Sequence, residues 1–218
     1  MKNEIHSEWQ TTDMGESTKI VGIEITQSPG RISISQRQSI QRILERQGLG
    51  DASPVQMLLD PNVKICRNPD GEKGDRSNAF AQLLGELQYI ANATRPDIAF
   101  AVNFLTSYTA NPNMQHQTAL KRILCYLAGT KRHGIMYKSV PESNPTFLGY
   151  ADTAYKNRDE DKSTSGYAFI AAGGAITWRL AKQTINCHFH DESRICNWPS
   201  GVGHADVRRG NRPRVLLC

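Results

Sequence analysis

The sequence contains no run of eighteen apolar residues, which predicts no membrane-spanning helix. Its opening stretch, MKNEIHSEWQ, lacks the apolar centre of a secretory signal, so we expect an intracellular, cytoplasmic or nuclear, setting. Cysteine is sparse, with five among 218 residues, and in a reducing compartment they read as free thiols instead of a disulfide framework. Internal repeats and low-complexity tracts are absent, so nothing marks a repeat array. Neither charge sign dominates. The 26 basic and 21 acidic residues leave a net +5, a mild excess that fits contact with nucleic acid but is shared by many proteins without a polyanionic partner.

What is present is an ordinary globular composition, with 39% hydrophobic and 22% charged residues, long enough to bury one large or two small cores. TKIVGIEITQSPGRISISQ (18–36) reads as a hairpin. Val21, Ile23 and Ile25 alternate on one arm and Ile32 and Ile34 on the other, with Ser28-Pro29-Gly30 as the turn. A helix follows with Ile40, Ile43 and Leu44 on one face, ended by Gly48 and Gly50, with Pro54 preventing an early restart. Residues 53–78 hold three prolines and two glycines without periodicity and read as an extended linker.

Three helical patterns come next. Phe80, Leu83, Leu84 and Leu87 share one face. TRPDIAFAVNFL begins with Thr94 as a cap, Pro96 in the first turn and Asp97 near the positive end of the helix dipole. A third helix runs from about Met114 to Ala128, with Leu120, Ile123, Leu124 and Leu127 inward and Gly129 as its stop. GIMYK, PTFLGYADTAY, SGYAFIAAGG and AITWRLA then read as four strands, with Gly173-Gly174 forming the last turn. After Gln183 periodicity is lost, and the chain becomes rich in Cys, His, Trp, Arg and Gly.

Five stretches carry a resemblance: VGIEI, LLGELQYIANATRPDIAFAVNFL, HQTALKRILCYLAGTKRHGIMY, GYADTAYKNRDEDKSTSGYAF and GGAITWRLAKQ. In this order and spacing, from about residue 10 to Gln183, they resemble the C-terminal part of copia-type LTR retrotransposon Pol polyproteins. The resemblance implies an α+β fold: an N-terminal β-hairpin and helix, a central helical thumb/connection region, a partial ribonuclease H-like antiparallel sheet and an irregular tail. The expected divisions are 1–52, the end of the reverse transcriptase palm and hairpin region; 53–78, a linker; 79–138, the helical region; 139–183, a truncated ribonuclease H-like domain; and 184–218, an out-of-frame disordered tail. The family's polymerase carboxylates lie in an upstream Tyr-x-Asp-Asp motif, which this sequence does not contain.

By the same resemblance, Asp152 is the ribonuclease H carboxylate and metal ligand. A strand gives such a ligand a fixed position, but hydrolysis with two Mg²⁺ needs several carboxylates. We therefore read Asp152 as vestigial and expect Mg²⁺ in the intact family enzyme, with none bound by this chain. The family's next glutamate comes from a helix opened by a motif like Ser-Thr-Glu-Ala-Glu-Tyr, where this chain has HDESRICNW; Glu192 falls near that place, without a helical pattern around it. Shifting the reading of Thr184–Ile195 one nucleotide downstream permits Pro-Ser-Ile-Ala-Thr-Ser-Thr-Thr-Lys-Ala-Glu-Tyr, with the glutamate codon overlapping Arg194. A frameshift would account for the compositional break and would remove the helix covering the sheet.

Lys121, Arg122, Lys131 and Arg132 flank the third helix and are the candidate nucleic-acid-binding residues, against the plainer reading of a solvated helix face. Arg95 either meets a phosphate or pairs with Asp97, and the pairing is the expectation. Asp159, Glu160 and Asp161 read as a solvated turn instead of a metal loop. Cys187, His188, His190, Cys196 and His204 match no zinc-site spacing, and STSGY lacks the frame of a nucleophile elbow. The function expected is that of a copia-type reverse transcriptase/ribonuclease H fragment, inactive as it stands. Its partners would be template–primer or RNA/DNA hybrid, and other Pol segments; no membrane partner is expected. The alternatives are a non-catalytic nucleic-acid-binding module and an enzyme completed by an intact copy.

Overall fold

The computed structural model describes residues 9, 15–60, 63, 65–68, 78–139, 147–154 and 164–182. They form an α+β fold. In chain order come β1 (Lys19–Ile20), β2 (Ile23–Ser28), β3 (Arg31–Ser35), α1 (Arg37–Arg46), α2 (Ala79–Ala93), a 3₁₀ turn (Pro96–Ile98), α3 (Ala99–Thr106), α4 (Met114–Thr130), β4 (Ile135–Lys138), β5 (Phe147–Ala154), β6 (Thr164–Ala171) and β7 (Gly174–Lys182). Two antiparallel sheets result, one ordered β1-β2-β3-β4 and the other β5-β6-β7.

The helices pack because each carries one apolar stripe. Ile40, Ile43 and Leu44 of α1, Phe80, Leu83, Leu84 and Leu87 of α2, Val102 and Leu105 of α3, and Leu120, Ile123, Leu124 and Leu127 of α4 close into one core. Each such aliphatic side chain contributes about 1.5–3 kcal/mol on burial. Leu58, Leu59 and Ile65 lean on the same core from the segment between α1 and α2, which has neither helix nor strand among its described residues.

Local differences from the sequence expectations have identifiable causes. Ser28 pairs with Arg31 across Pro29-Gly30, as expected for a two-residue hairpin turn. Val21, however, is not a strand residue. It turns the chain between β1 and β2 at φ 48°, an uncommon conformation for a β-branched side chain, and its carbonyl accepts a 2.6 Å hydrogen bond from the Tyr89 hydroxyl. Gly129 does not stop α4, which continues to Thr130; a Cβ at 129 would lie 2.6 Å from the Pro54 Cβ, so glycine lets the segment after α1, here called the strap, cross the helix closely. The β6–β7 turn is Ala172-Gly173, with Gly174 already paired to Ala171 and pressed against the Tyr137 ring. Thr94 ends α2 instead of capping the next helix, and its hydroxyl donates to Gln36 Oε1 at 2.8 Å.

The strand GIMYK joins the N-terminal hairpin, with Tyr137 opposite Ile32 and Lys138 opposite Arg31. The second sheet is tied to the rest by side chains and turns. Trp178 Nε1 donates to the Ala91 carbonyl near the end of α2 at 2.9 Å, and Asn103 Nδ2 to the Leu180 carbonyl at 3.1 Å. Tyr137 donates its hydroxyl to the Ala175 carbonyl at 2.7 Å, and Lys138 its backbone N–H to the Ala172 carbonyl at 2.8 Å. The first of these satisfies a carbonyl that a helix end would otherwise leave open.

The start of α4 is a capping box with a titratable member. Asn113 Oδ1 accepts from the backbone N–H groups of Gln115 and His116, while His116 Nδ1 accepts from the Asn113 N–H at 2.9 Å. His116 is fully buried, stacked on Tyr108, and its Nε2 has no hydrogen-bond partner among the described residues. Burial pushes its pKa below the usual histidine value, and the nearby Cys66 backbone opposes this only in part. The folded chain therefore resists a proton that the unfolded chain takes up near pH 6.5. Stability should be full above that pH and fall as pH drops below it, and His116→Gln should flatten the dependence. Urea unfolding midpoints between pH 7.5 and 5 test this; equal slopes for the two proteins would refute it.

Candidate functional site

Asp152 sits on β5 opposite Gly166, which in turn faces Leu180 of β7. It is exposed, on a strand held by a full antiparallel ladder, so its backbone position is fixed as a metal ligand requires. Among the described residues no three His, Cys, Asp or Glu side chains gather where they could hold a metal ion. Among the described residues Asp152 therefore has no set of further carboxylates with which to hold a pair of Mg²⁺ ions. Asp159, Glu160, Asp161, Glu192 and the candidate zinc residues Cys187, His188, His190, Cys196 and His204 lie outside the described residues.

The four helix-flanking basic residues do not act as one group. Arg122 is turned toward the segment after α1: its Nε donates to the Met57 carbonyl at 3.0 Å and its guanidinium lies 3.6 Å from Asp60. An ion pair this exposed contributes at most about 1 kcal/mol, but together the two contacts engage the side chain internally. Lys131 Nζ donates to Gln41 Oε1 of α1 at 3.4 Å. Lys121 and Arg132 are exposed.

Arg95 takes the structural role. It is 1% exposed and Asp97 5%, and they form a bidentate pair with Nε to Oδ1 at 2.9 Å and Nη2 to Oδ2 at 2.6 Å. The same guanidinium closes the end of α4, donating to the Thr130 carbonyl at 2.8 Å and the Thr130 hydroxyl at 2.7 Å. Tyr126 completes the cluster by donating to Asp97 Oδ2 at 3.0 Å, with Arg95 5.8 Å from its ring centre. Burial, and then the neighbouring Asp97 carboxylate, raise the Tyr126 pKa. The spacing Arg-Pro-Asp carried the signal for the pair, but the contacts with Tyr126 and Thr130 were not visible locally. A buried pair broken on one side costs about 3–5 kcal/mol. Arg95→Ala should lose that much, and Arg95→Lys should recover only part, since an ammonium cannot span both oxygens. Chemical denaturation measures both; a loss under about 1 kcal/mol for Arg95→Ala would count against the role.

Among the described residues, no helix is long and apolar enough to cross a membrane. No family model matches the chain, and no solved structure matches it. Over 191 residues it is 32% identical to the retrovirus-related Pol polyprotein from transposon TNT 1-94 of Nicotiana tabacum, covering 84% of this chain and 14% of that protein. Over 173 residues it is 36% identical to the corresponding polyprotein from transposon RE1 of Arabidopsis thaliana, covering 78% of this chain and 12% of that one. It is also 27% identical, over 83% of its length, to an uncharacterized mitochondrial protein of Arabidopsis thaliana, of which it covers 73%. The chain spans 12–14% of the length of the two polyproteins. With about a third of its residues shared along some four fifths of its length, the chain is homologous to a segment of the Pol polyproteins of copia-type retrotransposons.

Proposed function

We propose that this chain is a Pol segment that contacts template–primer or RNA/DNA hybrid and has no independent catalysis. In this reading the helices α2–α4 serve as thumb and connection, and β5–β7 are the opening strands of a ribonuclease H sheet. The observation that carries it is the match, along some four fifths of the chain, to Pol polyproteins of which it spans 12–14%. Two-metal hydrolysis needs several carboxylates around the ions, and the sequence has HDESRICNW where the family's next glutamate is expected. The sequence also holds no Tyr-x-Asp-Asp. Mg²⁺ belongs, in this reading, to the intact family enzyme, and the setting is cytoplasmic or nuclear.

Incubating the full chain with a labelled RNA/DNA hybrid and Mg²⁺ should give no cleavage, and Asp152→Asn should behave like the parent. Metal-dependent cleavage that disappears in Asp152→Asn would overturn the proposal. In this reading the loss comes from a shifted reading frame after Gln183. Sequencing genomic DNA and transcript across the codons for Trp178–Trp198 should show Ala-Glu-Tyr one nucleotide downstream, with the glutamate codon overlapping Arg194. If that frame does not encode it, the shift is wrong and Glu192 becomes the residue to test.

A further inference from the structure

The four-stranded sheet has one apolar and one polar face. Cross-strand partners share a face, so Ile25, Ile34 and Ile135 lie on one side, while Ser28, Arg31 and Lys138 lie on the other. Arg31 and Lys138 are directly opposite in register, and both are exposed. Like charges placed directly opposite repel. Among the described residues neither side chain has a hydrogen bond or ion pair that would offset this. The acid on this face, Glu24, is already engaged, accepting from the Gln38 backbone N–H at 2.7 Å and from Ser35 Oγ at 3.5 Å. Ser28 lies directly opposite Arg31 on this face, and the next row along it is Thr26, Ser33 and Met136.

We infer that this face is an anion-binding surface that receives a nucleic-acid phosphate backbone. Two cations held side by side by a strand ladder suit repeating phosphates, and the hydroxyls beside them supply further phosphate contacts. A rigid sheet also fixes their spacing, whereas Arg122 and Lys131 on the helix side are held by Asp60 and Gln41. The inference rests on the nucleic-acid reading above for its choice of polyanion, and it moves the contact from the helix flank to the sheet.

The test is fluorescence anisotropy of the full chain with a labelled RNA/DNA hybrid from about 50 to 200 mM salt. The double variant Arg31→Gln/Lys138→Gln should bind about tenfold more weakly at the lowest salt, with a log–log salt slope smaller by about 2. Lys121→Gln/Arg132→Gln removes the same charge and should change binding less than twofold. Arg31→Lys should bind like the parent. The first double variant relieves repulsion, so its melting temperature should not fall, which separates lost contact from lost fold. If the parent binds but the helix-flank variant carries the loss, the sheet assignment fails alone. If the parent does not bind hybrid at about 50 mM salt, the nucleic-acid reading fails and this inference with it. Equal affinity for polyglutamate or for anionic vesicles would overturn nucleic acid as the partner.

Discussion

The buried pair of Arg95 and Asp97 is the constraint on which the helical half of the structure depends. It follows α2 directly, stands at the entry to α3, and reaches the last residue of α4. A guanidinium suits this place because its donors lie in one plane and point in different directions, so one side chain serves a carboxylate, a carbonyl and a hydroxyl together. Taking both charges from water is expensive, and such a pair adds little net stability over a well-packed apolar replacement. What it adds is direction. Apolar stripes are tolerant of sliding, whereas a bidentate pair holds only one arrangement of the two helices.

The same chemistry explains why Arg95 is unavailable to a polyanion. Its Nε, Nη1 and Nη2 all donate inside the protein, and only 1% of the side chain is exposed. Tyr126 covers it further, with its own hydroxyl committed to Asp97. Basic character in the sequence is thus divided between internal and external uses. Arg46 pairs with Glu86 between α1 and α2, and Arg122 holds the strap before α2. The residues left to face a partner are fewer than the count of 26 basic residues suggests.

Much of the fold was legible because helices and hairpins are encoded by local periodicity. The buried faces of α1, α2 and α4 match the stripes read from Ile40, Leu87 and Ile123 onward. The misreadings occurred where a long-range contact outweighs a local pattern. Val21 fits an alternating strand, yet the Tyr89 hydroxyl meets its carbonyl in a turn. Thr94 is a good cap by type, yet its hydroxyl is taken by Gln36, 58 residues earlier. Gly129 reads as a stop but is a crossing point for Pro54. Sheet membership was not legible at all, since nothing within GIMYK says that it pairs with RISIS instead of with the strands that follow. For the candidate site, Asp152 and Arg95–Asp97 were visible as residue types, while the pairing of Arg31 with Lys138 exists only through that register.

The two sheets are joined where Lys138 meets the turn after β6, through its N–H and the Ala172 carbonyl. Asp152 lies opposite Gly166, further back along the same strand. Six residue steps lead from 166 to 172, roughly 20 Å at an extended rise. The Lys138 backbone and Asp152 therefore lie beside different stretches of the segment 166–172, Lys138 at the turn and Asp152 toward the start of β6. On the reading proposed above, a phosphate chain held at Arg31 and Lys138 would make its contacts away from Asp152, and binding would be separable from cleavage. Loss of the metal-binding set would end the chemistry, while the charged surface, built from β3 and β4, would persist for as long as the hairpin and GIMYK remain paired.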